Sequence, residues 1–219
     1  MRRKVLVIAA VIMALALGSI SSKAQSRYGV IGGFSFPHAS DVTNRGTMTK
    51  YNVGVTWQLK LPAGFSIQPS LMYHVKGARV GDIRGVEGNN MDLSVGYLEL
   101  PVSVQWGPDL LLFRPFLDVS PYIGVGLNNS ITGTVGASTV VNERNAWQTA
   151  GIARMEYGVG VGIGIEIWRF QVIGRYNWNF GTIWRAGEEP DPNLSVFTGG
   201  AFHDGGNFRG LTLSLSLLF

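Results

Sequence analysis

The chain has 219 residues, no cysteine and a formal net charge of +4. The lack of cysteine excludes disulfides and thiolate metal sites. Four of the 18 basic residues lie in the first 24 positions, which leaves 14 basic against 14 acidic side chains in the rest, so the charge does not indicate a nucleic-acid-binding surface.

The N-terminus has the features of a secretory signal peptide. A basic cluster at residues 2–4 precedes an apolar run at residues 5–17, and Ser22-Lys23-Ala24 fits the cleavage pattern of small residues. The alternative is an uncleaved anchor, but the apolar run is shorter than the roughly 20 residues that a spanning helix needs. We therefore predict a cleaved signal peptide at residues 1–24 and one mature domain at residues 25–219.

Alternation of apolar and polar residues is the main pattern of the mature chain. Residues 51–61 alternate over eleven positions, and the pattern resumes at residues 65–75 after Pro62-Ala63-Gly64. This is about the length at which a tilted strand crosses a bilayer. No stretch of about 18 consecutive apolar residues follows the signal, which excludes a helical membrane protein. Eight strands are predicted, at residues 26–36, 50–61, 65–77, 93–106, 114–128, 154–168, 169–180 and 207–219.

The connections between these strands alternate in length. Short ones are predicted at residues 62–64, 107–113 and 168–169, and long ones at residues 37–49, 78–92, 129–153 and 181–206. An even number of strands with short periplasmic turns and long external loops is typical of outer-membrane barrels. The fold class is therefore predicted to be all-β, an eight-stranded antiparallel up-and-down transmembrane β-barrel with both termini in the periplasm.

The fourth predicted strand breaks step. Leu93, Val95 and Tyr97 share one parity, whereas the apolar residues from Leu98 to Trp106 take the other. A one-residue bulge near Tyr97 and Leu98 would restore a common facing.

The last strand ends in alternating leucines and a terminal Phe219. In a soluble protein this apolar row would be an edge strand that is prone to aggregate, whereas in a barrel it pairs with the first strand. The terminal residues also resemble the signal that the outer-membrane assembly machinery reads in exported barrels, and we assign that role to Leu215, Leu217 and Phe219.

Ionisable residues occur at positions predicted to face the lumen. Such groups must pair or meet water, because an unpaired charge in a space of low dielectric is costly. A packed network of salt bridges is favoured over an ion path, since an eight-stranded lumen is wide enough only for side chains or one small ligand. The predicted interior charge network comprises Glu99, Asp118, Arg154, Glu156, Glu166 and Arg175.

Four glycines alternate from Gly158 to Gly164 in the sixth strand. The run superficially resembles a dinucleotide fingerprint, but that motif requires a following helix and a different glycine spacing. Small inward residues that make room for Phe116 or Tyr122 on the preceding strand explain the run better.

Several segments together resemble the outer-membrane β-barrel family that is widespread in the Bacteroidetes, often called PorT-like proteins. The resemblance depends on residues 97–101 (YLELP), 114–116 (RPF), 121–124 (PYIG) and 174–177 (GRYN), with the glycine-rich sixth strand and the final Leu-Leu-Phe. It implies an outer-membrane barrel with a structural, interaction or secretion-associated role in the envelope. It implies outer-membrane lipid and lipopolysaccharide, the barrel assembly machinery and other envelope proteins as partners.

Other functions have weaker support. A lipid A hydrolase or transferase would need a histidine and a serine at the rim, but His38, His74 and His203 are not part of such a motif. The acidic segment at residues 188–193 lacks the ligand spacing of a known calcium loop. A soluble carrier of lipocalin type would not need the C-terminal Phe or four long loops at one end. The sequence thus predicts a non-enzymatic barrel without a cofactor or a metal.

Overall fold

The computed structural model describes residues 25–39, 45–46, 48–80, 89–135, 138–144, 154–181 and 208–219. The predicted signal peptide lies outside the described residues, as do His203 and the acidic segment at residues 188–193. In these described ranges, no helix is long and apolar enough to span a membrane.

The described residues form ten β-strands and one short 3₁₀ turn at Pro62–Gly64. The strands are β1 (Gln25–Ala39), β2 (Arg45–Gly46), β3 (Lys50–Lys60), β4 (Phe65–Val80), β5 (Asn89–Trp106), β6 (Arg114–Val135), β7 (Ser138–Arg144), β8 (Met155–Ile167), β9 (Phe170–Asn179) and β10 (Phe208–Leu218). Eight of them correspond to the eight predicted strands.

These eight strands close into an antiparallel up-and-down barrel in the order β1-β3-β4-β5-β6-β8-β9-β10. Closure occurs where β10 pairs with β1 over eleven residue pairs, from Gly29 opposite Leu218 to Ala39 opposite Phe208. The predicted fold class is therefore confirmed. The C-terminal leucine row is not an edge, because its backbone groups pair with β1 on one side and β9 on the other.

The two ends of the barrel differ. One end, here called the turn end, carries the connections β3–β4, β5–β6 and β8–β9, and also the residues Tyr28 and Phe219, which exchange backbone hydrogen bonds. At the opposite end, here called the loop end, β1, β4 and β9 end and β3, β5, β8 and β10 begin. In the β3–β4 turn, Ala63 and Gly64 take positive φ angles of 61° and 78°, the region in which glycine is most easily accommodated.

At the loop end the sheet extends further than the sequence indicated. The predicted loop at residues 129–153 contains the end of β6 and the whole of β7, which pairs with β6, while β2 pairs with β4. This part of the prediction was wrong. Ile131, Thr132 and Val135 have high β-propensity, so the hydrogen-bonded ladder continues beyond the rim of the barrel.

The barrel is apolar outside and polar inside, as the alternation predicts. Val55 and Val161 are exposed on the outer surface, whereas Thr56 and Glu166 are buried in the lumen. Aromatic pairs lie on the outside near both ends, which is the arrangement of interfacial girdles. At the turn end these are Tyr28–Trp57, Phe65–Trp106 and Trp168–Phe170, and at the loop end Tyr51–Tyr73, Tyr157–Phe180 and Tyr176–Trp178.

The apolar residues of β5 switch parity along the strand, but this switch does not mark a bulge in β5. Leu93, Val95 and Tyr97 are buried on the same side of β5 as Glu99, so β5 keeps one parity throughout. The register shifts instead in the partner strand, because Gly96 pairs with Asn128 and Tyr97 with Gly126. The extra residue, between these two partners, belongs to β6. The predicted bulge in β5 was therefore wrong in its strand and in the facing that it gave to the apolar residues.

Two of the four alternating glycines of β8 make room for aromatic rings of β6, as predicted. A Cβ atom on Gly158 would lie 2.5 Å from Tyr122 Oη, and one on Gly164 would lie 2.6 Å from Phe116 Cε2. Both distances are shorter than real Cβ contacts. The rings of β6 therefore lie across the neighbouring strand and fill the lumen.

Candidate functional site

Salt bridges between described residues of the lumen form three groups along the barrel. We call them the turn-end cluster (Arg27, Lys60, Arg114 and Glu166), the middle pair (Asp118 and Arg175) and the loop-end cluster (His74, Lys76, Glu99 and Glu156). The side chains of each group come from inward positions on at least two strands. Closure of the barrel brings these positions together.

The turn-end cluster is built around the buried carboxylate of Glu166 on β8. Its oxygens contact Arg27, Lys60 Nζ at 2.9 Å and Arg114 Nη1 at 3.7 Å. Gln58 adds a hydrogen bond from Nε2 at 3.0 Å. Three cations therefore surround one carboxylate. The adjacent layer is rich in buried amides, since Gln58, Gln68, Gln105 and Gln171 are all at most 1% exposed.

The middle pair links β6 and β9 across β8. Arg175 Nε donates to Asp118 Oδ2 at 2.7 Å, and Arg175 Nη2 donates to Ser103 Oγ at 2.8 Å. Asp118 is fully buried. Gly160 allows this contact, because a Cβ atom there would lie 2.8 Å from Arg175 Cγ.

Lys76 is the centre of the loop-end cluster. Its Nζ lies 2.6 Å from Glu99 Oε1 and 2.9 Å from Glu156 Oε2, so the two carboxylates share one cation. The ammonium group also lies over the rings of Tyr122 and Tyr97, at 4.5 Å and 5.6 Å from their centroids. Such contacts stabilise a desolvated cation.

The two carboxylates of this cluster have further partners. His74 Nδ1 lies 2.9 Å from Glu99 Oε2, and Asn179 Nδ2 donates to Glu156 Oε2 at 2.9 Å. Gly124 lies between the carboxylates, since a Cβ atom there would be 2.8 Å from Glu156 Oε1 and 3.0 Å from Glu99 Cγ.

The two cavities found among the described side chains of the lumen are small. A cavity of about 20 Å³ is lined by residues of both the loop-end cluster and the middle pair, Glu99 and Arg175 among them, and by Tyr122. A second cavity of about 10 Å³ is lined by His74, Lys76 and residues of β10. Each has room for about one water molecule. In the described residues, no group of three or more His, Asp or Glu side chains is placed to hold a metal ion.

The structure divides the predicted interior network and changes its pairs. Glu99 and Glu156 lie together, Asp118 pairs with Arg175, and Glu166 contacts cations outside the predicted network. Arg154 is exposed just before β8 begins, so its predicted interior position was wrong.

The expectation that Glu99 and Arg175 share a network needs the same correction. Within the described part of the chain, Glu99 pairs with His74 and Lys76, whereas Arg175 pairs with Asp118 and Ser103.

Sequence reasoning missed the partners Arg27, Lys60, His74, Lys76 and Arg114 as members of the interior groups. A signal was available, because Lys60, His74 and Lys76 lie at the polar parity of their strands. A lysine near the end of a predicted strand, such as Lys60 or Lys76, is expected at the rim of the barrel. Its long side chain can nevertheless reach a carboxylate inside the lumen.

The predicted assembly signal lies on the outer surface of β10. Leu215 and Phe219 are exposed and Leu217 is half-buried, while Leu218 between them is buried in the lumen. The three side chains thus form an apolar row at the turn end.

The family of the chain follows from its sequence. A family model described as outer membrane protein beta-barrel domain matches residues 21–185, well over half of the chain. The chain belongs to this family, and it is an outer-membrane β-barrel protein. No curated protein gives a significant sequence match.

Several solved structures are similar to this chain. Neisserial surface protein A (NspA) has a TM-score of 0.43 and 10% identity, over 90% of this chain and 100% of that one. Ail, the attachment invasion locus protein of Yersinia pestis, solved in complex with the heparin analogue sucrose octasulfate, has a TM-score of 0.42 and 8% identity, over 89% and 99%. A major outer membrane protein from Thermus thermophilus has a TM-score of 0.41 and 13% identity, over 89% and 99%.

Proposed function

We propose that this outer-membrane barrel is a non-enzymatic envelope protein that acts through its surfaces and not through its lumen. The observation that carries the proposal is the packed interior of the described residues, in which three groups of charges and a layer of buried glutamines surround cavities of about 10 and 20 Å³. A pore needs a continuous aqueous path, and an eight-stranded barrel is only wide enough for side chains such as those packed in the described part of this lumen.

The finer proposal is a PorT-like role, either structural or associated with secretion. The segments that carry this resemblance supply the interior groups, since Glu99, Tyr122 and Arg175 come from three different ones. This supports a packing of the lumen that this chain shares with PorT-like proteins. A secretion role would be tested by deleting the gene and comparing the secreted and surface proteins, and an unchanged profile would leave only a structural role.

We also propose the arrangement in the envelope. The signal at residues 1–24 is removed on export, the turn end with both termini faces the periplasm, and Leu215, Leu217 and Phe219 form the assembly signal. Replacing Phe219 by Ser, with the exposed Leu213 replaced by Ser as the control, would test the last point. We expect slow assembly and periplasmic degradation for the first variant only.

The lipid A enzyme is the less favoured alternative. His74 is buried in the lumen and contacts Glu99, so it cannot reach a lipid in the outer leaflet from that position. The soluble carrier is disfavoured by the facing of the wall, because a lipocalin-like cavity would be apolar whereas this one is lined by charges and amides.

Two measurements test the main proposal. Purified protein in planar bilayers should show no channel conductance, and regular conductance steps would contradict a filled lumen. In the intact envelope, a photoreactive residue at Thr132, in the part of β6 that extends beyond the barrel, should capture a protein, whereas one at the lipid-facing Val161 should capture lipid. Lipid adducts from both positions would rule out a loop-end interaction there.

A further inference from the structure

The β5–β6 turn at residues 107–113 is exceptionally apolar for an exposed connection. Its sequence is Gly-Pro-Asp-Leu-Leu-Leu-Phe. Leu111 is 104% exposed and Leu112 80%, and Leu110 and Phe113 are also exposed. Adjacent large apolar side chains with this exposure indicate a contact surface and not ordinary scatter on a soluble face.

The polar groups of this turn have partners at the end of the barrel. Asp109 Oδ1 lies 3.6 Å from Lys60 Nζ and 3.5 Å from Arg114 Nε, both members of the turn-end cluster at the mouth of the lumen. The Gly107 N–H donates to Gly64 O at 3.0 Å, and the Leu110 N–H donates to Phe113 O at 3.1 Å. The turn therefore combines an acidic side chain that contacts cations at the mouth of the lumen with a row of exposed apolar side chains.

The apolar side of the turn is continuous with the lipid-facing wall. Trp106 immediately precedes the turn, is exposed on the outer surface and contacts Phe65, with 6.4 Å between their ring centroids. Leu117, the next outward residue of β6 after Pro115, is exposed too. On the adjacent strand pair, Trp168 and Phe170 extend the same apolar surface to the β8–β9 turn.

We propose that the β5–β6 turn inserts Leu110, Leu111 and Leu112 into the bilayer leaflet at the turn end and anchors that end of the barrel in the membrane. The occupant of this surface is phospholipid and not a second protein. Two features favour lipid: the leucines continue an established lipid-facing surface, and the only ionisable side chain of the turn, Asp109, is directed towards the lumen cations. A protein partner would be expected to find polar groups at the rim of its contact.

The absence of native cysteine allows a direct test. Single cysteines are introduced by Leu111→Cys, by Pro62→Cys in the β3–β4 turn at the same end and by Val161→Cys on the lipid-facing wall. Each is labelled with an environment-sensitive fluorophore after the barrel has been folded into vesicles of phosphatidylethanolamine and phosphatidylglycerol. Emission wavelength and quenching by spin labels carried on the lipid acyl chains then report immersion.

We expect blue-shifted, lipid-quenched emission at position 111, like that at position 161, and water-like emission at position 62. Adding Leu110→Asn and Leu112→Asn should return the label at position 111 to water while the heat-modifiable gel migration of a folded barrel is retained. Water-like emission at position 111 would overturn the proposal and leave the turn as a surface for a protein. Equal immersion at positions 62 and 111 would also overturn it, because the whole end would then lie in lipid without a specific anchor.

Discussion

The middle pair offers the sharpest test of how the lumen is stabilised. Replacing Arg175 by Met removes the cation whose Nε lies 2.7 Å from Asp118 Oδ2 and leaves a fully buried carboxylate. The other oxygen of Asp118 has no hydrogen-bond partner among the described residues, so nothing else would compensate its charge. We expect a large loss of stability from this single change.

The magnitude can be estimated in two ways. Two unit charges about 4 Å apart attract each other by about 4 kcal/mol at an effective dielectric constant of 20. Removing one partner of a buried pair typically costs ~3–5 kcal/mol. The double variant Asp118→Asn with Arg175→Met should cost less than the sum of the two single changes, by ~0.5–3 kcal/mol of coupling.

The assay is urea unfolding of the barrel in vesicles, followed by tryptophan fluorescence. Glu99→Gln combined with Arg175→Met is the matched control, since those two residues belong to different groups and their effects should add to within about 0.5 kcal/mol. If the Asp118–Arg175 cycle is additive, the contact contributes nothing and the division of the lumen into three groups is wrong. If instead the control cycle shows coupling, Glu99 and Arg175 belong to one network after all.

Three further predictions use the same unfolding assay. Gly164→Ala should destabilise the barrel by ~1–3 kcal/mol, because the new Cβ atom would overlap an aromatic ring of β6. Gly174→Ala is the control, since a Cβ atom there meets nothing within 4 Å. Equal losses of stability in the two variants would disprove steric crowding at Gly164. Val161→Arg should cost ~2–4 kcal/mol if that residue faces lipid near the bilayer midplane, and full tolerance would place it elsewhere. Lys76→Met should cost ~3–5 kcal/mol because it leaves two buried carboxylates without their shared cation. Adding Glu156→Gln to this variant should restore part of the lost stability. If it restores none, the unpaired Glu156 carboxylate is not the cause of the loss.

The sequence predicted the wall of the barrel better than its contents. The wall depends on a period-2 alternation that is local, so Val55 and Thr56 could be assigned to opposite faces from their neighbours alone. The rim of the loop end was less predictable. Whether a ladder continues past the bilayer depends on a partner strand, and the pairing of β7 with β6 is not visible in the local alternation.

The pairing of the interior charges could not be obtained from parity. Parity states that Glu99 and Arg175 face inward, but it does not give their heights in the barrel, their rotamers or the reach of a lysine. The shear of the closed barrel places Glu156 of β8 near Lys76 of β4, which is 80 residues away in the chain. The middle pair likewise joins residues 57 positions apart.

The sequence by itself therefore determined an eight-stranded wall with an apolar outside and a polar inside, because each residue's facing is set by the strand period. The tertiary structure alone decided where the bulge lies, which charges meet and how little space they leave. These features depend on register between strands and on side-chain length across a lumen. Those quantities become fixed only when β10 pairs with β1 and the sheet closes.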